Sequence, residues 1–338
     1  MLRFLDSPSA FAEAEGRGND KIAFVQSLPN RFPMQSGIAL VLVLWMLALL
    51  SLIAANLVFS SRTAVLVAGN LQSQAKAEAL ADAGAYKAIH ELARPQTDPQ
   101  RWKGNGLTHL WNFQDAELRV TIIDESAKVD LNAAPTVLLK GLFRAVGVAE
   151  PDADALADAV ADWRDADDLR SLHGAEKADY AAAGRDYGPA NAPFETIEEL
   201  RQVLGMNDVL FRKLERLVTV YSRRAAINSA AAPREVLLAL PGATPEQVDY
   251  FLGQRRILLD QGLPAPPFPG VQGLSADASG SAFSIQVEAL LGDNVRFSRE
   301  AVVRLTGDIR EPVTVLAWRA PTGTGTLGQG ATATGEAN

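Results

Sequence analysis

The chain of 338 residues contains no cysteine. A disulfide scaffold, a thiolate nucleophile and a Cys-ligated zinc site are excluded with it. Histidine is scarce too: His90, His109 and His173 are the only three, at spacings no metal site uses. Aromatic residues make up 7% of the chain, and Trp102, Trp111 and Trp163 read as packing residues. Gly-x-Ser-x-Gly, phosphate-loop and dinucleotide glycine patterns are missing, so nothing points to an enzyme. Positive charge is in short supply, with 32 Lys+Arg against 40 Asp+Glu, a net charge of −8 and a pI near 5.1. Nucleic-acid binders and basic membrane-surface patches both draw their affinity from cations, and neither fits this balance.

One local absence says more. From Ile38 to Ser61, 24 residues carry no charge. As a helix this run spans roughly 36 Å, enough for a bilayer core of about 30 Å. The apolar core of a secretion signal is only about 7–15 residues, so the run is too long for one. Lys21 and Arg31 flank one end and Arg62 and Lys76 the other, which leaves orientation open. Helical periodicity continues from Ser61 to Arg94, with Leu71, Ala75, Ala79, Ala83, Tyr86, Ile89 and Leu92 spaced as one apolar stripe. Pro95 ends it, and Gly69 and Gly84 each weaken it by about 1 kcal/mol relative to alanine. The spacing predicts one helix over about 38–94, apolar all round in its first half and amphipathic in its second.

"AELRVTIIDE" alternates as a half-buried strand, and "AFSIQVEALL", "VRFSREAVVRL" and "PVTVLAW" follow near the other end, joined by short turns. Four antiparallel strands against one amphipathic helix make an α+β layer. Residues 133–255, between them, are predicted helical. The tail 321–338 has no apolar pattern and is expected to be disordered.

The helical stretch carries a near-repeat. "VDLNAAPTVLLKGLFRAVGV" resembles "AAINSAAAPREVLLALPGAT", and "TIEELRQVLGMNDVLFRKLERL" has the same helix, turn, helix plan. Gly147, Gly205 and Gly242 stand where each chain turns sharply. These units resemble helix-hairpin-helix modules, so a membrane-tethered nucleic-acid binder is the alternative function. Residues 151–200 hold 13 Asp+Glu against 4 Lys+Arg, which would repel phosphate.

Within that stretch "ADWRDADDLRSLHGAEKADYAAAGRDYGPANAPFE" gathers Asp162, Asp165, Asp167, Asp168, Glu176, Asp179 and Asp186. Asp162 and Asp165 share a helix face at i, i+3. Hard cations such as calcium take six to eight oxygens, often from one loop, but EF-hand spacing is absent. A solvated acidic face paired with Arg164 and Arg170 accounts for the pattern equally well.

Gly37 followed by "IALVLVLWMLALL" looks like a type IV prepilin processing site. "DESAKVDLNAAP", "LADAVADWRDADD", "GAEKADY", "NAPFETIEELRQVLGM" and "INSAAAPREVLLALPG", in that order, resemble the minor pseudopilin K of type II secretion. The resemblance covers about Ser36 to Trp318. It implies a pilin-like long helix on a small antiparallel sheet, with a large α-helical domain inserted between strands. Its organisation would be a leader over 1–37, a transmembrane half-helix over 38–61 and a pilin-like body over 62–132. The inserted domain would take 133–255, and the C-terminal strands 256–320.

The resemblance also implies cleavage after Gly37 by prepilin peptidase, methylation at Ile38, an anchor in inner-membrane lipid and a periplasmic body in a Gram-negative cell. The chain would cap the pseudopilus with minor pseudopilins I and J, initiating the filament and helping export folded proteins. Most pilin-like proteins carry a glutamate at the fifth mature position, where this chain has Leu42, as suits a subunit with none ahead of it. Family members can bind calcium in the α-domain, for which Asp165, Asp167, Asp168, Glu176 and Asp179 are the candidate ligands. The leader of 37 residues, with four basic and four acidic residues, is longer and less basic than is common in the family.

Overall fold

The structure is a computed structural model that describes residues 36–320 except 96, 99, 270–272, 277–278, 293–294 and 309. The expected leader up to residue 35, and the expected tail 321–338, lie outside the described residues. In chain order the elements are α1 (Ser36–Ala93), β1 (Asn105–Phe113), β2 (Ala116–Asp124), β3 (Val129–Asp130), α2 (Thr136–Ala145), α3 (Glu150–Arg164) and α4 (Lys177–Ala182). They continue with α5 (Asp208–Leu214), β4 (Val218–Thr219), β5 (Ile227–Asn228), α6 (Arg234–Leu238), α7 (Pro245–Asp260) and β6 (Ser275–Ala276). The last three are β7 (Ala282–Leu291), β8 (Val295–Leu305) and β9 (Val313–Arg319). Short 3₁₀ turns fill Glu125–Ala127 and Ile197–Gln202.

The chain divides into two compact units, residues 1–65 and 66–338. In the first, α1 is exposed at every described side chain, and it is long and apolar enough to cross a membrane. No residue breaks α1 before Ala93, two positions short of Pro95.

In the second unit α1 lies on an antiparallel sheet of order β1-β2-β7-β8-β9. The buried face of the helix keeps Ile89 and Leu92 of the predicted stripe but not the rest. Leu71 and Tyr86 are 62% exposed, whereas Ala77, Leu80, Ala81, Ala85, Ala88 and Leu92 are buried. Small residues win because they let the backbone approach the sheet: a Cβ on Gly84 would stand 2.6 Å from Val287 Cγ1. Opposite them Leu118, Val120 and Ile122 of β2 and Ile285, Val287 and Ala289 of β7 fill the core. Arg299, 7% exposed on β8, clamps the helix by donating to Asp82 at 2.6 Å and Glu78 at 2.7 Å.

The sheet has five strands rather than the four expected. The extra one, β1, is an edge strand, half exposed and with an irregular register between Asn105 and Thr108. It turns into β2 through Gln114 and Asp115, with Gln114 at φ 55°.

A separate hydrophobic cluster, from Val129 to Phe268, holds the helical insert together. The near-repeat is real in three dimensions. β3 pairs in parallel with β4, and β5 with β6. Gly147, Gly205 and Gly242 turn their hairpins at φ 94°, 89° and 77°, which glycine adopts without steric cost. Each half closes with the same clasp. Arg164 at the end of α3 donates to the carbonyls of Leu131 and of Ala134, the latter at 2.7 Å. Arg255 on α7 donates to those of Ser229 at 3.0 Å and Ala232 at 2.7 Å. The halves meet at α2 and α6, where a Cβ on Gly141 would lie 2.0 Å from the Ala239 carbonyl oxygen.

Buried carboxylates from "DESAKVD" join the two clusters. Asp124 Oδ2 accepts from Asn228 Nδ2 at 3.0 Å, Ser279 Oγ at 2.8 Å and the Gly280 amide at 2.7 Å. Glu125 accepts from Lys128 Nζ at 2.6 Å and from the Thr219 and Ser284 hydroxyls. Asp130 Oδ2 takes Ser222 Oγ at 2.9 Å and the Arg223 amide at 2.8 Å. Each acid is 1% exposed and well supplied with donors, as a buried charge must be.

Candidate functional site

The acidic stretch forms a loop slung between two fixed points. At its start Arg164 is clasped to residues 131 and 134; burial lowers its pKa, partly offset by Asp130 and Asp165. At its end Asn132 and Phe194 exchange hydrogen bonds of 2.9 and 2.8 Å. Behind the loop, Asp158 and Asp162 lie one turn apart on the buried side of α3. Both oxygens of Asp162 accept from the Ser171 amide at 3.2 Å, and Asp158 Oδ2 accepts from the His173 amide at 3.2 Å.

Four oxygens in this region are buried without a well-formed hydrogen bond: Asp165 Oδ1, Asn191 Oδ1 and both carboxylate oxygens of Glu176, which has only loose capping contacts with the first amides of α4. Such groups are rare in native proteins because each forfeits its hydration uncompensated. The charges are also close enough to repel. Burial pushes the Glu176 carboxyl above the usual carboxylate range, and Asp162, Asp168 and Asp165 push it further. Asp165 is raised likewise, by burial and then by Asp167 and Asp162. Asn191, with φ 47°, turns its amide nitrogen to Asp168 Oδ1 at 2.9 Å.

The five candidate ligands therefore divide. Asp165, Asp168 and Glu176 share one electrostatic neighbourhood. Asp167 is beside Asp165 and accepts the Leu169 amide at 2.9 Å. Asp179 has other work: it accepts the Glu176 amide at 2.9 Å and Arg170 at 3.0 Å, and that amide, with Arg170, holds its pKa low. Asp162 and Asn191 are the members that spacing did not single out as ligands. Unpartnered, hard, partly anionic oxygens are the donor set a divalent cation such as calcium takes. Among the described residues no three acid or imidazole groups are already drawn up around a metal position.

The positions expected for processing and assembly lie near the start of the chain. Gly37 and Ile38 are in the first turn of α1, and Leu42, 60% exposed, follows one turn later.

Residues 112–223 match the family model described as type II secretion system (T2SS), protein K. The chain is 26% identical over 242 residues to the type II secretion system protein K of Pseudomonas aeruginosa, covering 65% of this chain and 72% of that protein. With its Klebsiella pneumoniae counterpart it shares 29% over 238 residues, or 60% and 72% of the two chains. Among solved structures, it superposes with a TM-score of 0.55 on a chain of the GspK-GspI-GspJ complex from enterotoxigenic Escherichia coli. That match covers 75% of this chain and 98% of the other at 19% identity, a likeness of fold. None of these matches supports the nucleic-acid-binding alternative. With the unbroken apolar helix and the helix-on-sheet body, these matches make the chain similar to type II secretion system protein K over about 65% of its length.

Proposed function

We propose that the chain is the tip subunit of the secretion pseudopilus, a structural rather than catalytic part, assembled with minor pseudopilins I and J. The reading rests above all on Leu42. A carboxylate inside a bilayer needs a partner charge, which in a filament the next subunit's amino terminus supplies. A subunit with nothing ahead of it has no such partner, and α1 accordingly carries no charge from Ile38 to Ser61. The solved GspK-GspI-GspJ complex, one chain of which this chain resembles in fold, supports the choice of partners. In this reading prepilin peptidase cuts after Gly37, inner-membrane lipid holds α1 before assembly, and residues 66–320 stand in the periplasm. Calcium held by Asp165, Asp167, Asp168 and Glu176 stiffens the insert, with Asp179 as a buttress beneath Glu176.

Co-expression with I and J of the same system tests this. The tagged chain, extracted in mild detergent, is expected to bring down both partners in a stoichiometric complex; recovery of the chain alone would refute the assignment.

A further inference from the structure

Leu169 and Leu172, at 77% and 82%, are the most exposed large apolar side chains among the described residues, above every member of the uncharged run of α1. Both sit in the acidic loop, three positions apart, outside any helix or strand.

The polarity of this segment is turned inside out. The amides of Ser171 and His173 point inward to the buried carboxylates of Asp162 and Asp158. The Leu169 amide is held by Asp167, and Arg170 is tied to Asp179. At Gly174 the backbone lies so close to α3 that a Cβ would stand 1.9 Å from Asp162 Oδ2. Every second amide from 169 to 173 is thus pinned, so the two leucines cannot roll under without breaking those bonds.

We propose that Leu169 and Leu172 are a preorganised docking element for a second protein, one that presents an apolar cleft bordered by lysine or arginine. Charge fixes the border. Asp167 and Asp168 are exposed beside Leu169, in a stretch with 13 acidic against 4 basic residues. Anionic phospholipid would be repelled by that field. A cationic rim around an apolar centre complements it and matches the anatomy of specific interfaces.

The test uses the full-length chain in a strain deleted for its own copy, with export of a secreted protein as readout. Exposed substitutions rarely unsettle a fold, so the neutral Leu169→Ser/Leu172→Ser, which adds no charge to the acidic loop, is expected to keep its melting temperature and its recovery with I and J while export falls by roughly tenfold or more. Leu169→Met/Leu172→Met, which preserves apolar contact, is expected to export normally. A photo-crosslinker at position 172 is expected to give an adduct with a protein surface peptide carrying Lys or Arg beside apolar residues, and Leu169→Ser is expected to abolish it. Unchanged export in the serine variant, or an adduct only to phospholipid, overturns the proposal. The test rests on the pseudopilin reading: if the unmodified chain fails to restore export, that reading fails instead.

Discussion

Replacing Gly84 by alanine sets two effects of opposite sign against each other. In a helix interior the change favours folding by about 1 kcal/mol, because glycine forfeits more backbone entropy. Here the new methyl would stand 2.6 Å from Val287 Cγ1 and 3.6 Å from Val120 Cγ2. Val287 is 2% exposed on β7, with β2 on one side and β8 on the other. Its β-branched side chain has little rotamer freedom with which to yield. Overpacking of this kind costs about 1–3 kcal/mol, so the net expectation is a loss of about 1 kcal/mol and at most about 2. Gly69 is the control, since no atom lies within 4 Å of its would-be Cβ. Gly69→Ala should leave stability unchanged or raise it by up to about 1 kcal/mol. Urea unfolding of the full-length chain in detergent measures both, and the pair should differ by about 1–3 kcal/mol. In a Val287→Ala background Gly84→Ala should turn neutral or stabilising, because the obstructing methyl is gone. Should Gly84→Ala prove as stable as Gly69→Ala with Val287 intact, α1 does not approach β7 this closely and the packing argument fails.

Three further outcomes are expected. The Glu176 pKa lies above its unfolded value, so the cost of ionising it is absent at low pH and grows as pH rises past about 4.3. With a chelator present, Glu176→Gln should therefore melt higher than the parent at pH 7 and converge with it near pH 4. Calcium at about 100 times its dissociation constant should stabilise the parent by about 2.7 kcal/mol and the variant less, and a melt indifferent to millimolar calcium would retire the site. Protein purified from cells with prepilin peptidase should have an intact mass beginning at Ile38, whereas a mass starting upstream would count against processing at Gly37.

What sequence reveals here depends on how loudly each residue type speaks. The uncharged run and Pro95 set the ends of α1 because charge and proline act locally and strongly. The stripe on α1 is right at Ile89 and Leu92 and wrong at Leu71 and Tyr86, because alanine carries too little hydrophobic signal to rank Ala77, Ala81, Ala85 and Ala88 above larger apolar residues. β1 escaped notice for two reasons: an edge strand need not alternate cleanly, and its turn through Gln114 and Asp115 lacks the glycine that marks most two-residue hairpins. The strands β2, β7, β8 and β9 were legible because one side of each packs on a helix. In the acidic loop the residue types were visible, but the roles were not. Burial separates Glu176 and Asp165 from Asp179, and it is tertiary contact that brings Asn191, 23 residues on, to Asp168.

The twin arginine clasps carry a consequence for how such a site arises. Counted from the clasp, Asp165 and Asp162 of the first half correspond to Arg256 and Gly253 of the second. The second hairpin thus holds its shape with a cation and a bare backbone where the first has carboxylates. The scaffold does not depend on those acids, and one twin is free to acquire chemistry while the other preserves the architecture. Grafting the acidic segment behind Arg255 would be the way to ask whether the second twin can be taught the same trade.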